Sequence, residues 1–226
     1  QKLNFPIKQF YRTITKVKNY KNFLPWCIDS YEKDHKIHSL TFKEIQNKFP
    51  ELTKNFHISN HLNKKYNLNN KNSLTNESLI NLKTYQGCIK VGFDIIEFSY
   101  LSKVYAISDN IVLSITDDSQ SHIFRKLESV WILEEDTDIE KIQKINIDYN
   151  IQFEMKSILF RNVTSLCMKF LGENIVKSFI SQTEKVIKEE NENESQENLN
   201  KEGIDKKIKF ENLLKKSFEN LCEDNS

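Results

Sequence analysis

The stretch of sequence that most constrains the fold runs from 145 to 189, where a period of two residues gives way to a helical period. Between Ile145 and Met155 every odd position is apolar or aromatic, and every even position is polar. Because side chains alternate between the two faces of a strand, this pattern predicts a strand with one buried and one solvated face. From Leu159 to Ile187, apolar residues recur at spacings of three and four, which predicts an amphipathic helix. We therefore expect a sheet with one apolar face, crossed by a long C-terminal helix.

Size and composition limit the classes of protein to consider. A chain of 226 residues, 38% of them hydrophobic, is large enough for one substantial core. Its net charge of +1 creates no strong field, so we expect no nucleic-acid partner. No run of about 18 apolar residues occurs, so no segment is predicted to span a bilayer. The four cysteines lack CxxC spacing, which favours free thiols in a reducing compartment.

The order of predicted elements is a helix, several strands and the long final helix. Apolar residues at helical spacing between Ile7 and Val17 predict the first helix, and the apolar segment Phe23–Cys27 follows it in an extended form. Period-two alternation predicts strands at about 85–93, 98–105, 111–115 and 127–133, ahead of the strand at 145–155. The short polar turns between these strands favour an antiparallel meander and exclude crossover helices of a parallel sheet.

Two segments lack a regular pattern. We interpret residues 34–82, which include an Asn-rich stretch, as a low-complexity insertion between two strands, with a few helical turns near 41–49. This insertion would interrupt a domain at 1–188. Residues 189–226 are predicted to be a polar linker and a short amphipathic tail. Because Gln1 lies so close to the first predicted helix, we expect that upstream residues, such as a presequence, have been removed.

Four short motifs follow one another along the chain. They are Tyr20–Cys27, in the form YxxFxPWC; Val91–Phe93 with Tyr100, Ser102 and Val104, in the form VGF then [YF]xSxV; Phe124, Leu127, Glu128 and Trp131, in the form FxxLExxW; and Phe153–Ser157, close to FEFxS. In kind and order they resemble motifs of the coenzyme Q-binding protein family, the mitochondrial ubiquinone-binding START-like proteins. The resemblance covers about residues 5–33 and 83–188.

The resemblance implies a fold, an activity and a location. The fold would be α+β, of the helix-grip or START-like type, with an antiparallel sheet wrapped around the C-terminal helix and a hydrophobic cavity between them. The protein would be a non-enzymatic carrier or chaperone for ubiquinone that supports respiratory electron transport. It would contact the matrix side of the inner mitochondrial membrane peripherally, with respiratory complexes as further partners. Ubiquinone would be a bound ligand, and no cofactor is expected.

One position departs from the family pattern. The family carries a Glu two residues before the aromatic residue of [YF]xSxV, and Phe98 occupies that position here. The neighbouring carboxylate is Glu97, and a shift of one residue in a strand moves a side chain to the other face. We therefore assign no function to Glu97.

The predicted ligand-binding residues are those expected to face inward from the sheet and the final helix. They are Trp26, Val91, Phe93, Tyr100, Ser102, Leu127, Trp131, Tyr149, Ile151, Phe153, Phe160, Val163, Leu166, Cys167 and Phe170. The same set is equally typical of a close-packed core without a ligand. The isoprenoid tail of ubiquinone gains little free energy by moving from bilayer to protein, because both environments are apolar. Selectivity for ubiquinone must therefore come from hydrogen-bond donors to its head group. Candidate donors are the hydroxyls of Tyr100, Ser102 and Tyr149 and the indoles of Trp26 and Trp131.

Sites for catalysis and for metals are not evident. No Ser-His-Asp order, P-loop or GxGxxG motif occurs, so we expect no enzyme, and Cys27 is interpreted as a small buried apolar residue. His35, His38, His57 and His61 have HxxH and HxxxH spacings, but no cysteine lies near them, and no metal site is expected. Two alternatives stay open. One is a cyclase- or hydrolase-type enzyme on a START-like scaffold, and the other is a module that binds a ribosome or another partner.

Overall fold

One antiparallel sheet organises the chain. The computed structural model describes residues 2–3, 6–66, 79–93, 96–108, 110–116, 118–136, 144–156 and 174–193. The strands are β1 (Lys2–Leu3), β2 (Cys27–Leu40), β3 (Ile80–Phe93), β4 (Ile96–Ile107), β5 (Ile111–Thr116), β6 (Phe124–Asp136) and β7 (Lys144–Met155). They form a seven-stranded sheet in the order β1-β7-β6-β5-β4-β3-β2, and every neighbouring pair is antiparallel. The predicted antiparallel meander is therefore confirmed.

The helices lie before, between and after the strands. They are α1 (Ile7–Thr15), α2 (Phe42–Lys48), α3 (Pro50–Lys54), α4 (Phe56–Tyr66) and α5 (174–193), and 3-10 turns cover Val17–Asn22 and Asp118–Gln120. The described part of the chain thus has an α+β fold.

The segment predicted to be an irregular insertion is largely regular where the structure describes it. β2 extends through Leu40, the helices α2 to α4 follow, and β3 begins at Ile80, so strands occupy both ends of the segment and helices occupy 42–66. The sequence did not predict these elements because α2 and α3 are short and β2 carries register shifts after Cys27 and after Lys33. The core of the Asn-rich stretch, residues 67–78, lies outside the described residues.

The helices α2 to α4 bury an apolar cluster against one face of the sheet. The fully buried side chains Ile45, Leu52 and Ile58 of these helices pack with Leu113 of β5 and Ile107 of β4. The sequence of β5 shows how both faces of the sheet can be buried. Ile111, Val112 and Leu113 are consecutive and all buried, as expected for a strand covered on both faces. The sequence predicted a sheet with only one apolar face. That prediction is wrong for β5, where side chains on both faces are buried. In β7, Asp148 and Glu154 are exposed as predicted.

The other face of the sheet is covered by α1 and the first part of α5. Phe10 of α1 is fully buried, and its ring centroid lies 5.7 Å from that of Trp131 in β6. A 3.0 Å hydrogen bond joins Thr183 Oγ1 in α5 to Thr13 Oγ1 in α1. The end of α1 is held to the sheet by the hydroxyl of Tyr85, which donates to the carbonyl of Thr15 at 2.7 Å.

Residues Gln1–Thr183 form one compact unit and Glu184–Ser226 a second. Within the second unit, residues 184–193 are helical and carry the ion pairs Lys185–Glu189 and Lys188–Glu192 at spacings of four residues. The helix continues past 189, where the sequence predicted a linker. Among the helices of the described ranges, none combines the length and the apolar character needed to cross a bilayer.

Candidate functional site

A cavity of about 100 Å³ lies between the sheet and the elements α1, the first 3-10 turn and α5. The residues that line it are Ile14, Val17, Tyr20, Leu24, Trp26, Gly87, Ile89, Val91, Phe98, Tyr100, Ser102, Val104, Val112, Ser114, Phe124, Leu127, Ser129, Trp131, Tyr149, Ile151, Ile175 and Phe179. The volume is below the ~300–1,000 Å³ of common ligand pockets. It is nearer to the roughly 150 Å³ that holds one benzene molecule.

The strand register arranges the sheet side of the cavity in parallel rows. Ser114 of β5 lies opposite Val104 and Ser129, and Ser129 lies opposite Ile151. A second row, two residues along each strand, includes Trp131 between Val112 and Tyr149. Since side chains two residues apart share a face, these rows follow directly from the period-two pattern of the sequence.

Most of the predicted site residues that the structure describes line this cavity. They are Trp26, Val91, Tyr100, Ser102, Leu127, Trp131, Tyr149 and Ile151. Phe153 is partly buried beside it and packs on Phe124, with a centroid distance of 6.2 Å. The side chain of Phe93 lies outside the described side chains. Phe160, Val163, Leu166, Cys167 and Phe170 lie outside the described residues, and their role stays a prediction.

Several lining residues were absent from the predicted set. Ser114 and Ser129 were missed because a short serine in an apolar strand is a weak signal, although each is in phase with an inward-facing neighbour, Val112 or Trp131. Tyr20 was missed because it belongs to a 3-10 turn, whose facing residues no simple period predicts. Phe179 had been recognised as part of an apolar helical stripe but had not been placed at the site.

An aromatic wall closes one end of the cavity. Trp131 is only 4% exposed, and its ring lies 4.1 Å from that of Tyr149 and 5.1 Å from that of Phe179, centroid to centroid. Phe10 packs behind Trp131, and the ring of Tyr20 meets that of Phe179 edge to face at 5.0 Å. Each edge-to-face contact of this kind adds about 0.5–1.5 kcal/mol beyond area burial, so the contacts at this end stabilise the fold.

The other end of the cavity is less covered. Phe98, Tyr100, Ile151, Phe153 and Met155 are partly buried and pack on a small cluster at the ends of β4, β6 and β7. On β4, exposure rises from the buried Val104 and Ser102 to the partly buried Tyr100 and Phe98, and we take this as the more open end. Glu97 is exposed and pairs with Lys90 at 2.6 Å on the face away from the cavity, while Phe98 lines it. The β3–β4 register is regular, so no bulge turns Glu97 inward.

Some of the hydroxyls at the site already have protein partners. The hydroxyl of Tyr20 donates to the carbonyl of Ile14 at 2.6 Å, and Ser102 Oγ shares a 2.5 Å hydrogen bond with the buried Thr116 Oγ1. Burial raises the pKa of Tyr20 and of Tyr149 well above the usual value for a phenol, so both stay neutral at physiological pH. The cavity therefore presents polar atoms without presenting charge.

Acid–base chemistry has little basis in this cavity. Every described lining residue is apolar, aromatic or a neutral hydroxyl, and none is an Asp, Glu, His, Lys or Arg. Cys27 is buried next to the site, and burial raises the pKa of its thiol to about 11. A thiol with that pKa is protonated at neutral pH and is a poor nucleophile.

The four histidines of the predicted insertion, His35, His38, His57 and His61, lie away from the cavity on β2 and α4. His61 Nδ1 is 3.1 Å from Glu134 Oε1, and His35 Nε2 is 3.3 Å from Glu32 Oε2. Within the described ranges, no group of three or more His, Cys, Asp and Glu side chains converges as a metal ion would require. The expectation of no metal site stays a prediction.

Comparisons with known proteins show the following. No protein-family model and no curated protein matches the chain. A crystal structure of the protein TTHA0849 from Thermus thermophilus aligns over 82% of this chain and 91% of that one, with 10% sequence identity and a TM-score of 0.44. These values show no family membership.

Proposed function

We propose that the protein is a non-enzymatic carrier for a neutral, largely apolar ligand, and that this ligand is ubiquinone. The observation that carries the proposal is the cavity beneath α1 and α5, lined by apolar, aromatic and neutral hydroxyl side chains. An apolar wall with a few polar groups is typical of small-molecule sites. The resemblance of four motifs to the coenzyme Q-binding family narrows the ligand class to quinones.

The proposed fold is the helix-grip type. Support comes from the antiparallel meander and from α5, whose Ile175 and Phe179 form part of the cavity wall opposite the sheet. The layer formed by α2 to α4 on the far face would be an addition to that arrangement. By the same resemblance, the protein would act on the matrix side of the inner mitochondrial membrane and deliver ubiquinone to respiratory complexes.

The size of the cavity sets a condition on the mechanism. A volume of about 100 Å³ is smaller than the roughly 150 Å³ that holds one benzene molecule, so it accommodates neither a substituted quinone head nor its tail. Loading must therefore widen the cavity, by displacement of α5 or of the Leu24–Trp26 turn. The isoprenoid tail would trail through the more open end, along Phe98 and Phe153.

The first test is organic extraction and mass spectrometry of lipid that copurifies from a quinone-producing host. The carrier proposal predicts about one ubiquinone per protein. Phospholipid in its place would overturn the quinone assignment, and a folded protein without lipid would overturn the carrier proposal.

A matched pair of variants then tests the location of the ligand. Phe153→Asp adds a charge at the open end of the cavity, whereas Gln152→Asp adds it one residue away on the solvated face of the same strand. Since an unpaired carboxylate in an apolar site costs several kcal/mol, the first variant is expected to lose bound lipid and the second to keep it. Equal lipid content in both variants would place the ligand elsewhere.

A further inference from the structure

The polar atoms at the floor of the cavity form a pair that the function proposed above does not yet use. Ser114 and Ser129 are direct cross-strand neighbours on β5 and β6, and both side chains line the cavity. Directly opposed residues have Cβ atoms about 4.5–5.5 Å apart, so the two serine side chains are immediate neighbours on this face of the sheet. The residues beyond them in the same row, Val104 and Ile151, are apolar.

Neither serine hydroxyl is joined by a hydrogen bond to another described residue, unlike the hydroxyls of Ser102 and Tyr20. Ser102 is bonded to Thr116, and Tyr20 is bonded to the carbonyl of Ile14. Polar groups inside proteins nearly always have a hydrogen-bond partner, and a donor left without one is costly. Ser114 and Ser129 are therefore an adjacent pair of donors that remain available to a ligand.

We propose that Ser114 and Ser129 form a carbonyl-binding subsite, which selects a neutral ring ligand and orients it with its head inward. This inference rests on the carrier function proposed above and names the residues that would distinguish a quinone from other apolar molecules. A carbonyl oxygen has two lone pairs and can accept one hydrogen bond from each hydroxyl. The adjacent row supplies the rings of Trp131 and Tyr149, against which a planar head would pack.

The charge and exposure of the residues around the cavity determine which class of ligand fits and how the ligand is oriented. The described lining residues include no cation, so a carboxylate or phosphate head would be buried without a counter-ion. The aromatic wall lies on one side of the serine pair, and the partly exposed residues Phe98, Phe153 and Met155 lie on the other. A carbonyl held by Ser114 and Ser129 therefore leaves an attached tail pointing to the open end.

The subsite is tested by titrating the full chain with three probes that share a ten-carbon tail. They are a decyl-substituted dimethoxy-methyl-benzoquinone, decylbenzene and decanoate, each measured by calorimetry. The double variant Ser114→Ala/Ser129→Ala is compared with the unaltered protein. The matched control is Ser99→Ala, an exposed serine on the neighbouring strand β4.

The double variant should lose about tenfold in quinone affinity, the effect of one to two hydrogen bonds. Its affinity for decylbenzene should be unchanged or higher, and Ser99→Ala should leave both affinities unchanged. Quinone affinity that survives the double change, or an equal loss for decylbenzene, would overturn the subsite. Decanoate binding tighter than the quinone would overturn the neutral ligand class. If none of the three probes binds the unaltered protein, the carrier function fails, and the subsite fails with it.

Thermal unfolding without ligand provides a second readout. If the serines served the fold, their removal would lower the melting temperature. A ligand-binding pair predicts the opposite, because alanine removes two unpaired donors from an apolar surface. We expect the double variant to melt at the same temperature as the unaltered protein or higher, and a clear decrease would assign the pair to stability instead of binding.

Discussion

Individual buried aromatic residues determine the shape of the cavity. Phe10, Trp131 and Phe179 meet at its deep end, although they come from α1, β6 and α5. Each was recognisable from the sequence as an apolar residue in phase with its element. That the three rings touch was not predictable, because a period assigns a residue to a face and does not say what that face meets.

The packing of the aromatic wall leads to a prediction about Phe10. The side chain is fully buried, and replacing it with alanine removes the contact behind Trp131. Phe10→Ala should lower the free energy of unfolding by about 3–5 kcal/mol, as measured by urea denaturation. The same change at Phe56, which is 72% exposed, is the matched control and should cost no more than about 0.5 kcal/mol. Equal losses at the two positions would contradict the burial of Phe10 behind Trp131.

At the scale of elements, the clearest difference from expectation is the layer formed by α2, α3 and α4. The residues of α2 and α3 resemble low-complexity sequence because these helices have seven and five residues, which gives few turns over which a period can be recognised. Local signals were nevertheless present. Thr41 and Glu44 form a capping box, in which Glu44 N–H donates to Thr41 Oγ1 and Thr41 N–H donates to Glu44 Oε2.

The capping box leads to a prediction about the start of α2. Thr41→Ala removes the hydroxyl that accepts the Glu44 N–H and leaves that donor without its partner. We expect a loss of about 1 kcal/mol in the free energy of unfolding, within the range measured for N-cap residues. Thr41→Ser keeps an acceptor oxygen in place and should restore most of the stability. A serine variant as unstable as the alanine variant would show that the cap is unimportant.

At the scale of the whole molecule, buried phenols make stability depend on pH. Burial raises the pKa of Tyr20, Tyr85 and Tyr149, and burial together with Glu51 raises that of Tyr105 to about 12. In the unfolded chain these phenols ionise near pH 10. Below that pH, both states hold these protons, and the phenols do not change stability. Above it, the unfolded state loses protons that the folded state keeps, so stability falls as pH rises.

Urea denaturation between pH 8 and pH 12 tests this dependence. The free energy of unfolding should decrease slightly above about pH 8.5, where the Cys27 thiol ionises only in the unfolded chain, and more steeply above about pH 10 as the phenols follow. Tyr105→Phe removes one of the contributing groups and should make the decrease between about pH 10 and pH 12 shallower. An unchanged slope in this variant would contradict the raised pKa of Tyr105.

The sequence by itself determined the α+β class, the antiparallel order of the strands and part of the cavity lining, including Trp26, Tyr100 and Trp131. These properties depend on spacing along the chain, and a period of two or of 3.6 residues records them directly. Only the tertiary structure decided that the sheet is covered on both faces, that Ser102 is bonded to Thr116, and that Ser114 and Ser129 lie side by side. Those facts depend on which distant segments meet, because hydrogen bonding and burial are properties of contacts between elements.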